Sequence, residues 1–277
     1  MCIVGRMYVA GCMSQLKAIF FDIDDTLYST TAFAARARRN SVNAMIKAGL
    51  QLPHAVVLKE LEEVINEFSS NYEHHFDKLL LRVPRRCYEG INSAVLIAAA
   101  VVAYHETKFR ELTPFSDVPR VLKWLATTDL VRGIITAGLE VKQAEKLIRL
   151  DLYKYFTPSA IFISDQIGIS KPNPKLYQRA CSELNIAPAE AMYVGDNPLS
   201  DIDPPNKIGM ITVLNTPPDK HRGGKYQLIH GRTKPRHIIH NFHQLINLLK
   251  KHYDIRPVPH GMVPLTGSRI GMTTINK

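Results

Sequence analysis

The stretch Leu16-Lys17-Ala18-Ile19-Phe20-Phe21-Asp22, running on into Ile23-Asp24-Asp25-Thr26-Leu27-Tyr28, decides the fold. Its first half is short, apolar and aromatic-rich, which reads as a buried strand. Its second half is acidic. Side chains alternate along an extended backbone, so Asp22 and Asp24 can share one side while Ile23 turns into the core. Working outward, short apolar runs recur at residues 131–136, 160–164 and 191–195, each leading into a polar turn, and a fifth lies at 210–214. Helical patterns separate them. Strands alternating with helices predict an α/β fold with a parallel sheet covered on both faces. In such sheets the chemistry lies beyond the carboxyl ends of the strands. Asp22, Thr136 and Asp196 all stand at such ends.

Between the first and second strands the sequence reads as helix almost throughout. Residues 32–48, 53–69, 73–81 and 88–110 are rich in Ala, Leu, Glu and Lys, with Pro53 suited to a helix start and Pro84 to a break. This is far too long for a strand-to-helix loop. It predicts an inserted helical bundle above the strand ends. Residues 94–103 are apolar all round, so they are expected to form the bundle's central helix. After Leu214 the pattern loosens: Pro217, Pro218 and Gly223-Gly224 mark loop, 236–239 reads as an edge strand and 242–252 as a closing amphipathic helix.

Four motifs carry chemistry. Two carboxylates as close as Asp22 and Asp24 disfavour each other's ionisation, and a divalent cation relieves that. One can then act as nucleophile while the other trades protons. Gly195-Asp196-Asn197-Pro198-Leu199-Ser200-Asp201 offers Asp196 as a hard oxygen ligand suited to magnesium, with Asp201 binding through water or orienting its neighbours. Here Gly195 is expected to permit a tight turn. In Lys171-Pro172-Asn173-Pro174 the prolines restrict the loop, so the ammonium is held where it can grip a phosphoryl oxygen. In Thr136-Ala137-Gly138 a hydroxyl precedes what are expected to be free backbone N–H groups at a helix start, an anion site.

With these motifs in this order, the chain resembles the haloacid dehalogenase-like (HAD) hydrolase superfamily. The likeness covers residues 17–214 and extends to about 250. Within that superfamily it is similar to the capped small-molecule phosphatases of the phosphoglycolate, N-acylneuraminate-9-phosphate and pyrimidine nucleotidase types. The resemblance implies a Rossmann-like core with a parallel sheet and an all-helical cap inserted after the first strand. It places the core at residues 15–28 and 114–253 and the cap at 29–113. Residues 1–14 and the basic segment 254–277 are expected to be poorly ordered. It also implies roles: Asp22 as the nucleophile that forms an aspartyl-phosphate, and Asp24 as general acid and base. Asp22, the Asp24 backbone carbonyl and Asp196 would bind Mg²⁺ with Asp201 in support. Thr136, the Ala137 backbone and Lys171 would hold the phosphoryl oxygens. Two departures stand out. Ala137 replaces an Asn that often follows the motif's hydroxyl, and Pro204-Pro205 interrupt the stretch after Asp201, so a helix there is shortened or a new one starts. Asp24 argues against dehalogenation, which needs no proton-trading carboxylate two residues on.

Composition sets the remaining bounds. The net charge is +10, and residues 216–277 hold eleven Lys and Arg against two acidic side chains, so the body of the chain is close to neutral. The basic quarter reads as solvated surface, and no specific nucleic-acid partner is expected. No apolar run is long enough to span a membrane. The four cysteines form no C-x-x-C pair, which fits a reducing cytoplasm. The expectation is thus a cytoplasmic, Mg²⁺-dependent phosphatase, monomer or homodimer, acting on a sugar phosphate, phosphoglycolate or a nucleoside monophosphate. A phosphomutase of the same superfamily, or a silent HAD-fold binding protein using its basic tail, are the alternatives. Candidate specificity residues are Arg36, Arg38, Arg39, Arg85, Arg86 and Tyr88. His74, His75 and His105 fit no familiar metal spacing.

Overall fold

The computed structural model describes residues 15–216 and 230–259. The expectations for residues 1–14, for the loop around 217–224 and for the tail beyond 259 lie outside the described residues; the start of the tail, expected to be poorly ordered from 254, is instead packed, with Ile255 buried in the core and Val258 N–H donating to Thr127 O (2.7 Å).

Six strands form the sheet: β1 (Ala18–Phe21), β2 (Val131–Thr136), β3 (Ile161–Ile163), β4 (Ala191–Gly195), β5 (Ile211–Asn215) and β6 (His237–Ile239). Their order is β3-β2-β1-β4-β5-β6, and every neighbouring pair is parallel. β1 lies inside the sheet and all four of its residues are buried. Alternation sends them into two apolar layers. Ile19 and Phe21 meet Val121, Leu122 and Leu147 of helices α5 (Val118–Leu125) and α6 (Glu140–Arg149), together with Phe242 and Leu245 of α10 (Phe242–Tyr253). Ala18 and Phe20 meet Leu176, Tyr177 and Ala180 of α8 (Pro174–Glu183). Each large apolar side chain so buried contributes about 1.5–3 kcal/mol, which is why a four-residue strand can anchor the site that follows it.

The expected insert is four helices, α1 (Thr30–Lys47), α2 (His54–Phe68), α3 (His75–Arg82) and α4 (Ser93–Glu111). They have an apolar cluster of their own, with Val42, Met45, Val57, Leu61, Leu79 and Leu96 buried in it. Ser29 caps α1 through Ala32 N–H, and Asn92 caps α4 through Ala94 N–H. The reading of residues 94–103 as a central helix is corrected. Val95 and Val102 are 54% and 56% exposed, while Leu96, Ala100 and Thr107 are buried. α4 packs one stripe against α1, where the Ser41 hydroxyl donates to Ala100 O (2.9 Å) and Asn40 Nδ2 to Thr107 Oγ1 (2.9 Å). Those two bonds bring the backbones close, and small side chains there permit it. Hydrophobicity around a helix does not by itself show that every face is covered.

After β4 a five-residue π-helical turn, Pro198–Ile202, precedes a new short helix, α9 (Asp203–Lys207). Pro204 and Pro205 occupy its first turn, where a missing N–H costs nothing. They therefore start a helix rather than distort the acidic loop.

Candidate active site

β1 ends by handing Asp22 N–H to Val194 O of β4 (3.0 Å), which sets Asp22 beside the end of β4. There Asp22, Asp196 and Asp201 each offer an oxygen within 4.8 Å of the others, and all three residues are buried. Lys171 comes from the loop before α8, well past the end of β3, and not from a strand end. A short helix, α7 (Ser164–Ile167), intervenes. Its Nζ donates to Asp22 Oδ1 (2.8 Å), Asp201 Oδ1 (2.9 Å) and Tyr193 OH (2.6 Å). An ammonium has three hydrogens, and here each has an acceptor. Tyr193 passes its own proton to Ile135 O (2.8 Å).

Asp201 holds the loop around it. Its Oδ2 accepts from the backbone N–H groups of Asp196 (3.1 Å) and Asn197 (3.0 Å). Thr26 donates to Asp196 Oδ1 (3.2 Å). Gly195 serves this loop by its size. A Cβ there would fall 2.5 Å from Asp201 Cβ, Cγ and Oδ2. It does not take a left-handed backbone conformation, so the expected tight-turn role is replaced by close approach.

Electrostatics follow from burial. The Asp22 carboxyl is pushed up to about 6, first by desolvation and then by Asp201 and Asp24, with Lys171 opposing. Burial works against the charge on Lys171, but Asp201 and Asp22 outweigh it and raise its pKa. Three buried carboxylates against one ammonium leave an anionic cluster. All its donors are hard oxygens, so the residues present fit a divalent cation such as Mg²⁺.

Asp24 stands apart from that cluster. Tyr28 OH (2.7 Å), Thr30 Oγ1 (2.6 Å) and Lys146 Nζ (2.7 Å) donate to its Oδ1. Lys146 Nζ (2.7 Å) and Gln143 Nε2 (3.0 Å) donate to its Oδ2. Burial alone would raise its pKa, but Lys146, with Thr30 and Tyr28, pulls it below the usual value. Its neighbour Asp25 instead caps the start of α1, accepting from Thr31 N–H and Oγ1.

Thr136 ends β2 at 1% exposure, and its Oγ1 accepts from Gln143 Nε2 (3.0 Å), leaving its own hydrogen to donate. Ala137 follows it. The free backbone N–H groups expected beyond are not all free: Gly138 N–H donates to Ser164 Oγ (2.9 Å) and Glu140 N–H to Asp165 Oδ2 (3.0 Å). Side chains from α7 take them.

Three of the residues expected to set specificity have partners within the insert. Arg36 pairs with Glu111 (2.7 Å), and Arg85 lies 4.5 Å over the ring of Tyr88, which is buried. His75 bonds Ser69 O, and His74 lies beside Asp77. Tyr28, Thr30, Gln143, Lys146 and Tyr193 went unread in the sequence. Gln143 and Lys146 sit one turn apart on α6, a spacing any polar helix face shows, so no local signal marks them.

A family model for haloacid dehalogenase-like hydrolases matches residues 16–209. The glyceraldehyde 3-phosphate phosphatase of Methanopyrus kandleri is 45% identical over 216 residues, spanning 77% of this chain and 87% of its own. That of Pyrococcus furiosus is 39% identical over 201 residues, 73% and 81% of the two chains. Among solved structures, a HAD family hydrolase from Deinococcus radiodurans with bound phosphate and sodium shares the fold with a TM-score of 0.59 at 17% identity. It covers 88% of this chain and 99% of its own. A HAD phosphatase from Thermococcus onnurineus does so at 0.58 and 21% identity, covering 84% and 98%. With the acidic cluster, its lysine and the parallel sheet in place, the family match is decisive: the chain belongs to the haloacid dehalogenase-like hydrolases.

Proposed function

We propose that this chain is a Mg²⁺-dependent phosphatase that hydrolyses a small phosphorylated metabolite through an aspartyl-phosphate on Asp22. The observation that carries this reading is Lys171 bridging Asp22 and Asp201 at the sheet's carboxyl edge, with Asp196 in the same cluster. Phosphoryl transfer needs positioning and charge neutralisation above all, and this arrangement offers both.

An Asp22 oxygen attacks phosphorus and the ester P–O bond breaks. The leaving oxygen takes a proton from Asp24, which must first gain it in the substrate complex because Lys146, Thr30 and Tyr28 hold its pKa below the usual value in the free protein. Water then attacks the phosphorus of the aspartyl-phosphate and gives a proton to Asp24, releasing inorganic phosphate and restoring Asp22. Thr136, the Ala137 backbone and Lys171 hold the phosphoryl oxygens, Lys171 exchanging one protein acceptor for substrate. Asp22, Asp196 and the Asp24 carbonyl, supported by Asp201, would hold Mg²⁺, which supplies neutralisation of the phosphoryl charge. Asp24 keeps its carboxylate outside the metal cluster, as an acid–base role requires.

Residues 29–113 act as a cap domain over a core made of 15–28 and 114–253, choosing the leaving group and excluding water when closed. Glyceraldehyde 3-phosphate heads the substrate class in this reading, which the names of the relatives support. The cysteine pattern supports a cytoplasmic location, and the chain works as a monomer or homodimer. Among the described residues no helix is long and apolar enough to cross a membrane.

The test is phosphate release from a panel of phosphomonoesters that includes glyceraldehyde 3-phosphate and p-nitrophenyl phosphate, with Mg²⁺ or with EDTA, beside Asp22→Asn. Release is expected only with Mg²⁺, and Asp22→Asn should lower it about 10³-fold or more, as loss of a nucleophile does. Hydrolysis indifferent to that substitution would overturn the reading.

A further inference from the structure

Asp24 is more heavily engaged than a free acid–base group needs to be. A carboxylate has about four acceptor sites. Here Oδ1 takes three donors and Oδ2 takes two, and Lys146 alone reaches both oxygens. Gln143 comes from the same helix one turn earlier. Its single NH₂ group serves Asp24 Oδ2, Thr136 Oγ1 (3.0 Å) and Ala137 O (2.5 Å), while its Oε1 is buried with no hydrogen-bond partner. Reversing the amide would turn a carbonyl oxygen against a carboxylate and a backbone carbonyl. The three acceptors therefore dictate its orientation, at the expense of an orphaned acceptor on the other side. A side chain serving packing alone has no reason to accept that.

Helix α6 is itself held on the side facing the insert. Lys142 pairs with Glu73 (3.2 Å), and Glu145 pairs with Lys108. Positions 142, 143, 145 and 146 thus form a braced bracket whose working ends are the amide of Gln143 and the ammonium of Lys146.

We propose that Gln143 and Lys146 are positioning residues for Asp24, fixing its carboxylate between the Thr136 loop and the start of α1 so that it meets the substrate's leaving oxygen. The leaving oxygen must replace one of the existing donors. Lys146 is the donor that can release one oxygen and keep the other, so the carboxylate stays placed as the exchange occurs. Gln143 ties that placement to the loop that holds the phosphoryl group.

This rests on the phosphatase reading, and the test separates the two. p-Nitrophenolate leaves as a stable anion and needs no proton, whereas an alkoxide leaving from glycerol phosphate does. kcat/KM reports formation of the aspartyl-phosphate, the step in which Asp24 is the acid. For Lys146→Met, kcat/KM on glycerol phosphate should fall about tenfold to a hundredfold, while on p-nitrophenyl phosphate it stays within about threefold. Lys146→Arg, which keeps two donors within reach, should recover most of the loss. Gln143→Leu should lose more on glycerol phosphate than on p-nitrophenyl phosphate, with KM raised on both substrates because Thr136 loses its partner. The nearly unchanged aryl-phosphate value doubles as evidence that Lys146→Met is folded. Equal losses on the two substrates that Arg does not rescue, or no loss on either, would overturn the positioning role. Either result leaves the Asp22-dependent hydrolysis of the wild type, and with it the phosphatase reading, intact. A wild type inactive on both substrates would remove the phosphatase reading and this proposal together.

Discussion

Lys171 shows how one side chain makes an acidic cluster tolerable. Its three hydrogens all reach acceptors and its side chain is only 5% exposed. Removing one partner of a buried pair leaves the other charge uncompensated, which costs about 3–5 kcal/mol. Lys171→Met is accordingly expected to lose about 3 kcal/mol in urea unfolding at pH 8 without metal. The loss should shrink at pH 5, because Asp22, already pushed up to about 6, can take a proton once the lysine is gone. A loss of equal size at both pH values would contradict the pairing.

At the scale of elements, the turn after β4 is where geometry is tightest. The amides of Asp196 and Asn197 point at Asp201, and the absence of a side chain at Gly195 lets Asp201 come that close. Gly195→Ala forces Asp201 away from both amides. Changes to groups that orient metal ligands typically cost 10–100-fold in metal affinity. The expected outcome is a Mg²⁺ requirement for half-maximal activity raised by about that factor. Partial recovery of rate at high Mg²⁺ would accompany it. An unshifted Mg²⁺ titration would show that Asp201 does not orient the site. The same scale explains why α4 misled: its hydrophobic circumference is covered by α1 and α3 on one side, while Val95 and Val102 face outward.

Across the whole molecule, the anionic cluster links stability to pH and metal. The folded-state pKa of Asp22, about 6, lies above its ordinary 3.8. The folded protein therefore binds this proton more tightly than the unfolded chain. That contribution is complete below about pH 4 and is lost as pH rises through about 6. Metal-free wild type should then be less stable than metal-free Asp22→Asn at pH 7.5, by about 3 kcal/mol, with the gap closing towards pH 4. Saturating Mg²⁺ at pH 7.5 should raise the melting temperature of the wild type more than that of Asp22→Asn. Thermal melts at the two pH values, with and without the cation, check this. A wild type no less stable than Asp22→Asn at pH 7.5 without metal would mean that the cluster is not strained by its own charge.

The sequence by itself determined the sheet strands, the inserted helices and the residues from Asp22 to Asp201, because each carries a local signature. Burial of a parallel strand needs a short apolar run, the acidic and hydroxyl motifs follow such runs directly, and the lysine is marked by the prolines beside it. Only the tertiary structure decided what those residues touch. Lys171 reaches Asp22 and Asp201 from a loop far along the chain, and Lys146 and Gln143 reach Asp24 from a helix face with no distinguishing pattern. Contacts between distant segments depend on how elements pack, and side chains that act through such contacts look ordinary until the chain is folded.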